Sequence, residues 1–242
     1  MKKLIIPISV GWLCLSFINP QTLVKGPGKE KFSPATDIHI LYSNGTGTAL
    51  YQHSKLEQYG LSTDAFEYAW KGYQSLRSSG KLSNTHYLTI CDFSQSSRRK
   101  RLYIIDVDNE KLLINTWVAH GQKSGNEYAT QFSNKPESLQ SSLGFFITSS
   151  TYNGKNGFSL KLNGLEPGFN SNAMERTIVI HGATYVDGAR LRAGYYMGRS
   201  WGCPAVPKNE SAKIINIIKN GTCLFVYHHS DDYLTHSKLL ND

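Results

Sequence analysis

A mainly β domain with a few helices is what this sequence predicts, and three observations predict it. Six short runs of β-branched and aromatic residues follow one another between Tyr87 and His181, separated by Gly/Asn/Ser clusters of the kind that turn a chain between strands. Helical spacing is confined to two stretches, around Phe66 to Leu76 and around Ile214 to Ile218. With 242 residues and 40% hydrophobic content the chain has enough apolar surface for one sizeable core without requiring a second domain.

Met1-Lys2-Lys3 followed by an apolar run from Leu4 to Ile18 reads as a secretory signal over residues 1–25, with an N-terminal anchor as the alternative. That run, at about 15 residues, is short of the ~20 needed to span a bilayer. Cys14 follows Trp12-Leu13 where a lipoprotein box wants small residues. Residues 26–60 mix Pro, Gly, Ser and Lys without sustained periodicity and read as a linker and irregular lead-in. The main domain is placed at residues 61–230. Its first helix carries Phe66, Ala69, Tyr73 and Leu76 on one face, capped by Ser62 or Thr63 and stopped at Gly80. Strands are predicted over Tyr87–Phe93, Leu102–Val107, Leu112–Ala119, Gly144–Ser149, Phe158–Leu162 and Thr177–His181. A helix bearing Ile214, Ile215, Ile217 and Ile218 opens after Pro207 to Glu210, closes at Gly221 and feeds a last strand, Thr222–Tyr227. Residues 231–242 are left as a C-terminal tail.

The formal charge is +8, and loss of Lys2, Lys3 and Lys25 with a leader would leave +5. An exported cationic chain points to anionic wall polymer or membrane surface, and no aromatic-basic motif suggests nucleic acid. The one dense basic run, Arg98-Arg99-Lys100-Arg101, lies between two strands and reads as a solvated hairpin turn. Export also permits disulfides, but beyond Cys14 three cysteines remain, Cys91, Cys203 and Cys223, so at least one stays free within a monomer. Cys91 and Cys223 sit in strand-like runs and read as core residues, with a bridge between them as the other option.

Cys203 stands in Arg199-Ser200-Trp201-Gly202-Cys203-Pro204, and His181 lies 22 residues upstream in Thr177-Ile178-Val179-Ile180-His181-Gly182. A neutral thiol is a poor nucleophile near pH 7, so an attacking cysteine needs a base or a positive neighbour, and an imidazole can be either. Period-2 alternation puts Ile178 and Ile180 on one face of the strand and His181 on the other, with Gly182 expected to turn the chain away. Gly202 permits the curvature that would aim the N–H groups of Trp201 and Gly202 at a developing oxyanion, and Pro204 pushes Cys203 into extended backbone. Between base and nucleophile, aromatic residues and arginines alternate with glycines, and a connection of that length is uncommon unless functional. Arg199 and Tyr196 are the candidate substrate contacts there; Ser200 either orients a substrate or caps the turn.

At these residues the chain resembles the exported L,D-transpeptidase (YkuD-like) family, in its murein L,D-transpeptidase catalytic-domain branch with Ser-Trp-Gly-Cys-Pro at the nucleophile. Val118-Ala119-His120-Gly121, Ser124-Gly125, Phe132-Ser133-Asn134, Ser141-Ser142-Leu143-Gly144-Phe145-Phe146, Asn163-Gly164-Leu165-Glu166-Pro167-Gly168 and Ile180-His181-Gly182-Ala183 look like the same branch, over about Ser62 to Tyr227. Trp201 replaces the second histidine of the wider family's Ser-His-Gly-Cys signature. The resemblance implies a β-sandwich-like catalytic domain at 61–230 acting on peptidoglycan stem peptides in the periplasm or at the cell wall or cell surface, with N-terminal membrane association where the leader is retained. Cys203 would form a thioester and release D-alanine, with His181 as base. Transfer to an amine makes a cross-link and transfer to water makes an L,D-carboxypeptidase. No cofactor or metal is called for. Two rival readings are a zinc peptidase using some of His39, His86, His120, His181, His228 and His229, for which HExxH spacing is lacking, and a non-catalytic wall-binding protein with an idle thiol. His120 reads as a structural strand-end residue.

Overall fold

The computed structural model describes residues 46–242. The leader predicted at 1–25, most of the lead-in at 26–60 and His39 lie outside them. Helix α1 (Thr46–His53) and a 3-10 turn (Leu56–Tyr59) precede the predicted helix α2 (Thr63–Ser78). Ser62 caps α2 by accepting the Ala65 N–H at 3.2 Å, and Gly80, at φ +66°, lies just past its end. Strands β1 (Tyr87–Asp92), β2 (Leu102–Asp106), β3 (Lys111–Thr116), β4 (Gly144–Gly154), β5 (Gly157–Gly164) and β6 (Val179–Ala183) follow. Then come a short helix α3 (Gly188–Arg192), strand β7 (Ala205–Pro207), helix α4 (Ser211–Ile218), strand β8 (Cys223–Tyr227) and two short helices, α5 (Asp231–His236) and α6 (Lys238–Asn241).

The mainly β character expected from the sequence is thus present, with the strands joined in one eight-stranded sheet, ordered β3-β2-β1-β8-β4-β5-β6-β7. The middle strands β1 and β8 are parallel to each other and almost wholly buried, as strands covered on both faces must be. Helix α2 packs on them from one direction, while α4 lies against β5, β6 and β1. Close approach of α2 depends on Gly72, where a Cβ would lie 2.0 Å from the Phe145 ring. That ring stacks on Phe225 at 4.2 Å and anchors the centre of the core.

Three expectations are corrected. Residues 46–59 are not an irregular lead-in, because Leu50, Tyr51 and Leu56 are buried in the main core and Tyr51 Oη donates to the Leu61 carbonyl at 2.6 Å. Residues 231–242 are not a loose tail either. Glu166, buried beneath α5 and α6, accepts the Phe145 N–H at 2.7 Å and the Tyr233 hydroxyl at 3.0 Å, and the Ser237 hydroxyl as well. The basic run is not a wholly solvated turn: Arg101 is fully buried and donates to the carbonyls of Val118 and Gln95 and to His120 Nδ1. Cys91 and Cys223 are free and buried, as the core reading has them, and form no bridge. In the β1–β8 register Cys91 faces Val226 and Cys223 faces Leu88, which sets the two three positions apart, about 10 Å, on opposite sides of the sheet.

Candidate active site

Strand β6 does not end at His181. It runs on to Ala183, with His181 paired to Ser159 of β5 on one side and to Ala205 of β7 on the other. Gly182 is needed for packing rather than for a turn, since a Cβ there would lie 2.5 Å from Ser211 Oγ. The parallel β6–β7 pairing was invisible in the sequence because β7 is a three-residue strand ending in proline. Cys203 lies two residues before Ala205, the partner of His181, so the two side chains open into the same hollow. Ile178 and Ile180 point the other way, into the core, as the alternation requires.

That hollow has a volume of about 350 Å³. Three segments wall it: the β4–β5 hairpin with Tyr152, Lys155 and Asn156, the run Arg176 to His181, and the loop from Tyr185 to Cys203. Three cationic side chains, Lys155, Arg176 and Arg199, line it and no carboxylate does. Trp201 is 70% exposed at its mouth, with Lys155 Nζ 5.8 Å from its ring centroid.

The Cys203 loop is held from below by segments distant in sequence. Ser200, only 3% exposed, donates its N–H to the His120 carbonyl at 2.9 Å and its hydroxyl to the Cys203 carbonyl at 2.6 Å. Its Oγ also accepts the Gly202 N–H at 3.0 Å. Ser200 therefore caps the turn, and it also lines the Cys203 hollow. By the same bond the Gly202 N–H is taken up inside the loop, which corrects its assignment to an oxyanion hole. Gly202 is still required: its φ is +125°, and a Cβ would meet the Gln140 carbonyl at 2.8 Å. Ser141 Oγ donates to the Gly202 carbonyl and accepts the Gly121 N–H, linking three segments through one hydroxyl.

The region from residue 57 to residue 227 matches the family model of the L,D-transpeptidase catalytic domain. The chain belongs to that family. Solved structures it resembles include an L,D-transpeptidase from Mycobacterium smegmatis (11% identity, 59% of each chain covered, TM-score 0.37) and one from Mycobacterium tuberculosis H37Rv (12%, 59% of this chain and 58% of that one, 0.35). A third is the L,D-transpeptidase from Xylanimonas cellulosilytica (13%, 74% and 93%, 0.34). The chain spans about three fifths of the length of the first two. No curated protein matches it.

In this L,D-transpeptidase domain, thiol and imidazole are both neutral at rest. Burial pushes the Cys203 thiol up from its ordinary range; the Val179 N–H and the Arg176 guanidinium pull the other way without overcoming it. Burial likewise holds His181 below the usual imidazole range, against a hydrogen bond to the Gly182 carbonyl. That bond, Nδ1 to oxygen at 3.1 Å, puts the proton on Nδ1 and leaves Nε2 as the acceptor. The thiol itself donates to the Thr177 carbonyl at 3.6 Å.

Arg176 and Lys155 were missed in the sequence, since neither lies in the Arg199–Pro204 motif. Arg176 is fixed by the carbonyls of Ser133 and Gln140 and the hydroxyls of Ser142 and Ser138. Of the residues expected to bind substrate, Arg199 and Ser200 line the Cys203 hollow, whereas Tyr196 lines a neighbouring one. Among the described residues no three His, Cys, Asp or Glu side chains are grouped to hold a metal ion. His120 is buried between Arg101 and Phe93, in the structural place expected of it.

Proposed function

We propose that the chain is a cysteine acyltransferase that acts on peptidoglycan stem peptides outside the cytoplasm, in the periplasm or at the cell wall or cell surface. One observation carries this reading: a half-buried thiol and an imidazole with a free Nε2 share a hollow lined by three cations and no acid. Stem peptides carry several carboxylates, and such a wall is complementary to them. Membership of the L,D-transpeptidase family supplies the reaction class.

Because the resting pair is neutral, the step is general-base attack rather than use of a preformed thiolate. As the substrate displaces water, Cys203 Sγ attacks the carbonyl of the stem's third residue while His181 Nε2 takes the thiol proton. The tetrahedral oxyanion collapses, the C–N bond breaks, and D-alanine leaves with a proton returned by the imidazolium. A thioester remains on Cys203. With the Gly202 N–H engaged by Ser200, the donors for the oxyanion are the Cys203 N–H and the fixed charge of Arg176, with the Trp201 N–H as a third. No metal or organic cofactor takes part in this scheme. Export would depend on residues 1–25; among the described residues no helix is long and apolar enough to cross a membrane.

The test is Cys203→Ala. The variant is expected to fold, to release no D-alanine from a tetrapeptide stem, and to gain no mass from a carbapenem that adds covalently to Cys203 in the native chain. Full release by the variant sinks the reading. An unreactive native Cys203 together with retained binding to isolated sacculi would replace it with the wall-binding alternative.

A further inference from the structure

Among the polar groups on the wall of the Cys203 hollow, the hydroxyl of Tyr185 makes no hydrogen bond to any described residue. A phenol taken even partly out of water normally finds a partner, because an unmet hydroxyl is costly there. Nor is the ring loosely placed. Gly198 packs on it so closely that a Cβ would lie 2.5 Å from Tyr185 Cβ and 2.7 Å from its Cδ2, and the Gly198 N–H donates to the Tyr185 carbonyl at 2.9 Å. The ring also packs against the small buried cluster of Ala119, Ala183, Val186, Met197 and Ala205. Burial pushes the phenol up to about 12, and the Cys203 sulfur is the one ionisable group that adds to the rise. Through the neutral range the hydroxyl therefore keeps its proton and acts as a donor. It also stands within electrostatic reach of the sulfur, and a carbonyl carbon bonded to Sγ holds its oxygen only two bonds from that atom. A donor facing the sulfur faces the oxyanion as well.

We propose that the Tyr185 hydroxyl is a further catalytic group, donating to the acyl oxygen of the stem while that oxygen carries negative charge. The inference rests on the acyl-transfer reading above and adds a donor that the Cys203 loop does not itself supply, since the Gly202 N–H is held by Ser200 Oγ. As the Sγ–C bond forms, the π pair of the carbonyl moves onto its oxygen, and the hydrogen bond from Tyr185 to that oxygen strengthens. As the C–N bond breaks, D-alanine leaves with the bonding pair and the proton from His181, the C=O bond is restored, and the hydrogen bond weakens again. Tyr185 ends each step with the proton it began with. Attack on the thioester by an amine or by water develops charge on the same oxygen, so one hydroxyl serves both halves of the reaction.

Tyr185→Phe keeps the ring against Gly198 and removes only the hydroxyl. Release of D-alanine from a tetrapeptide stem by this variant is expected to fall on the order of a hundredfold in kcat with KM nearly unchanged, because the bond reaches full strength only in the transition state. Iodoacetamide provides the control. It alkylates the thiolate by displacement at a saturated carbon and forms no oxyanion, so the rate and pH dependence of Cys203 alkylation should stay native. A hydroxyl with a merely structural role would leave both reactions alone or slow both together. Tyr185→Leu, read by the same pair of reactions, serves should the first variant not fold. Undiminished kcat in the folded variant, or alkylation slowed as much as D-alanine release, overturns the donor and leaves acyl transfer standing. Failure of the native Cys203 to become acylated at all removes both.

Discussion

Cys203 is pulled in two directions. Desolvation raises its thiol, while Arg176, held by four neutral oxygens and facing the same hollow, works to lower it. A guanidinium with no carboxylate partner keeps its field available to the sulfur, and the low-dielectric wall strengthens that field. Replacing Arg176 by Gln keeps donors for the surrounding oxygens and removes the charge. Iodoacetamide should then alkylate Cys203 on the order of tenfold more slowly at pH 7, with the pH–rate curve displaced upward, and Arg176→Lys should recover part of the loss. An unchanged curve in folded Arg176→Gln would show that the charge does not reach the thiol. Of this site, the sequence made legible the residues whose chemistry is announced by local pattern: a thiol beside Gly and Pro, and an imidazole within an apolar strand. Arg176 and Lys155 were not legible because their place at the sulfur depends on β5 pairing with β6 and β6 with β7. Ser200 was left between two roles for a related reason, since hydroxyls of the same kind cap turns and hold substrates.

Among the elements, those with a strong period or a strong cap were legible. Helix α2 announced itself through Ser62, its apolar stripe and Gly80, and the longer strands through runs of branched and aromatic residues bounded by turns. Helices α1, α5 and α6 were not legible, because each is short and is stabilised by tertiary packing more than by its own sequence. The attachment of α5 and α6 runs through a single buried carboxylate. Glu166 accepts from the Phe145 N–H, the Tyr233 hydroxyl and the Ser237 hydroxyl, and Asn170 closes the knot by donating to the carbonyls of Leu143 and Phe145. Gly144, at φ +102°, leaves space for it, since a Cβ there would lie 2.2 Å from Glu166 Oε2. Glu166→Ala strands three buried donors at once, and at ~1–3 kcal/mol for each unmet group the loss should be about 3–5 kcal/mol. Urea denaturation measures it, and limited proteolysis should cut first between Tyr227 and Tyr233 as the helices come loose. A loss below about 1 kcal/mol would mean that apolar packing of Tyr233 and Leu240 alone holds these helices down.

For the molecule as a whole, the buried imidazoles set the acid limit of the fold. His120 carries the largest effect: burial first, then the neighbouring Arg101 and Arg199, hold it down at about 3, against hydrogen bonds to Gly125 and Asn126. His181 and His228 are displaced the same way, burial being the first cause in each. For a base whose folded pKa lies below its unfolded one, stability is complete above the unfolded value, near 6.5, and declines as pH falls from there toward the folded value. At ~1.36 kcal/mol per pH unit, His120 alone removes roughly 3 kcal/mol between pH 6.5 and pH 4.5. Glu166 opposes this, since a carboxyl raised by burial gains stability on protonation. His120→Gln, which offers an acceptor to Arg101 without taking up a proton, is expected to be less stable than the native chain at pH 7.5 and to lose far less between there and pH 4.5. Urea midpoints for both proteins across that range decide it, and parallel curves would place the acid sensitivity on other groups than His120.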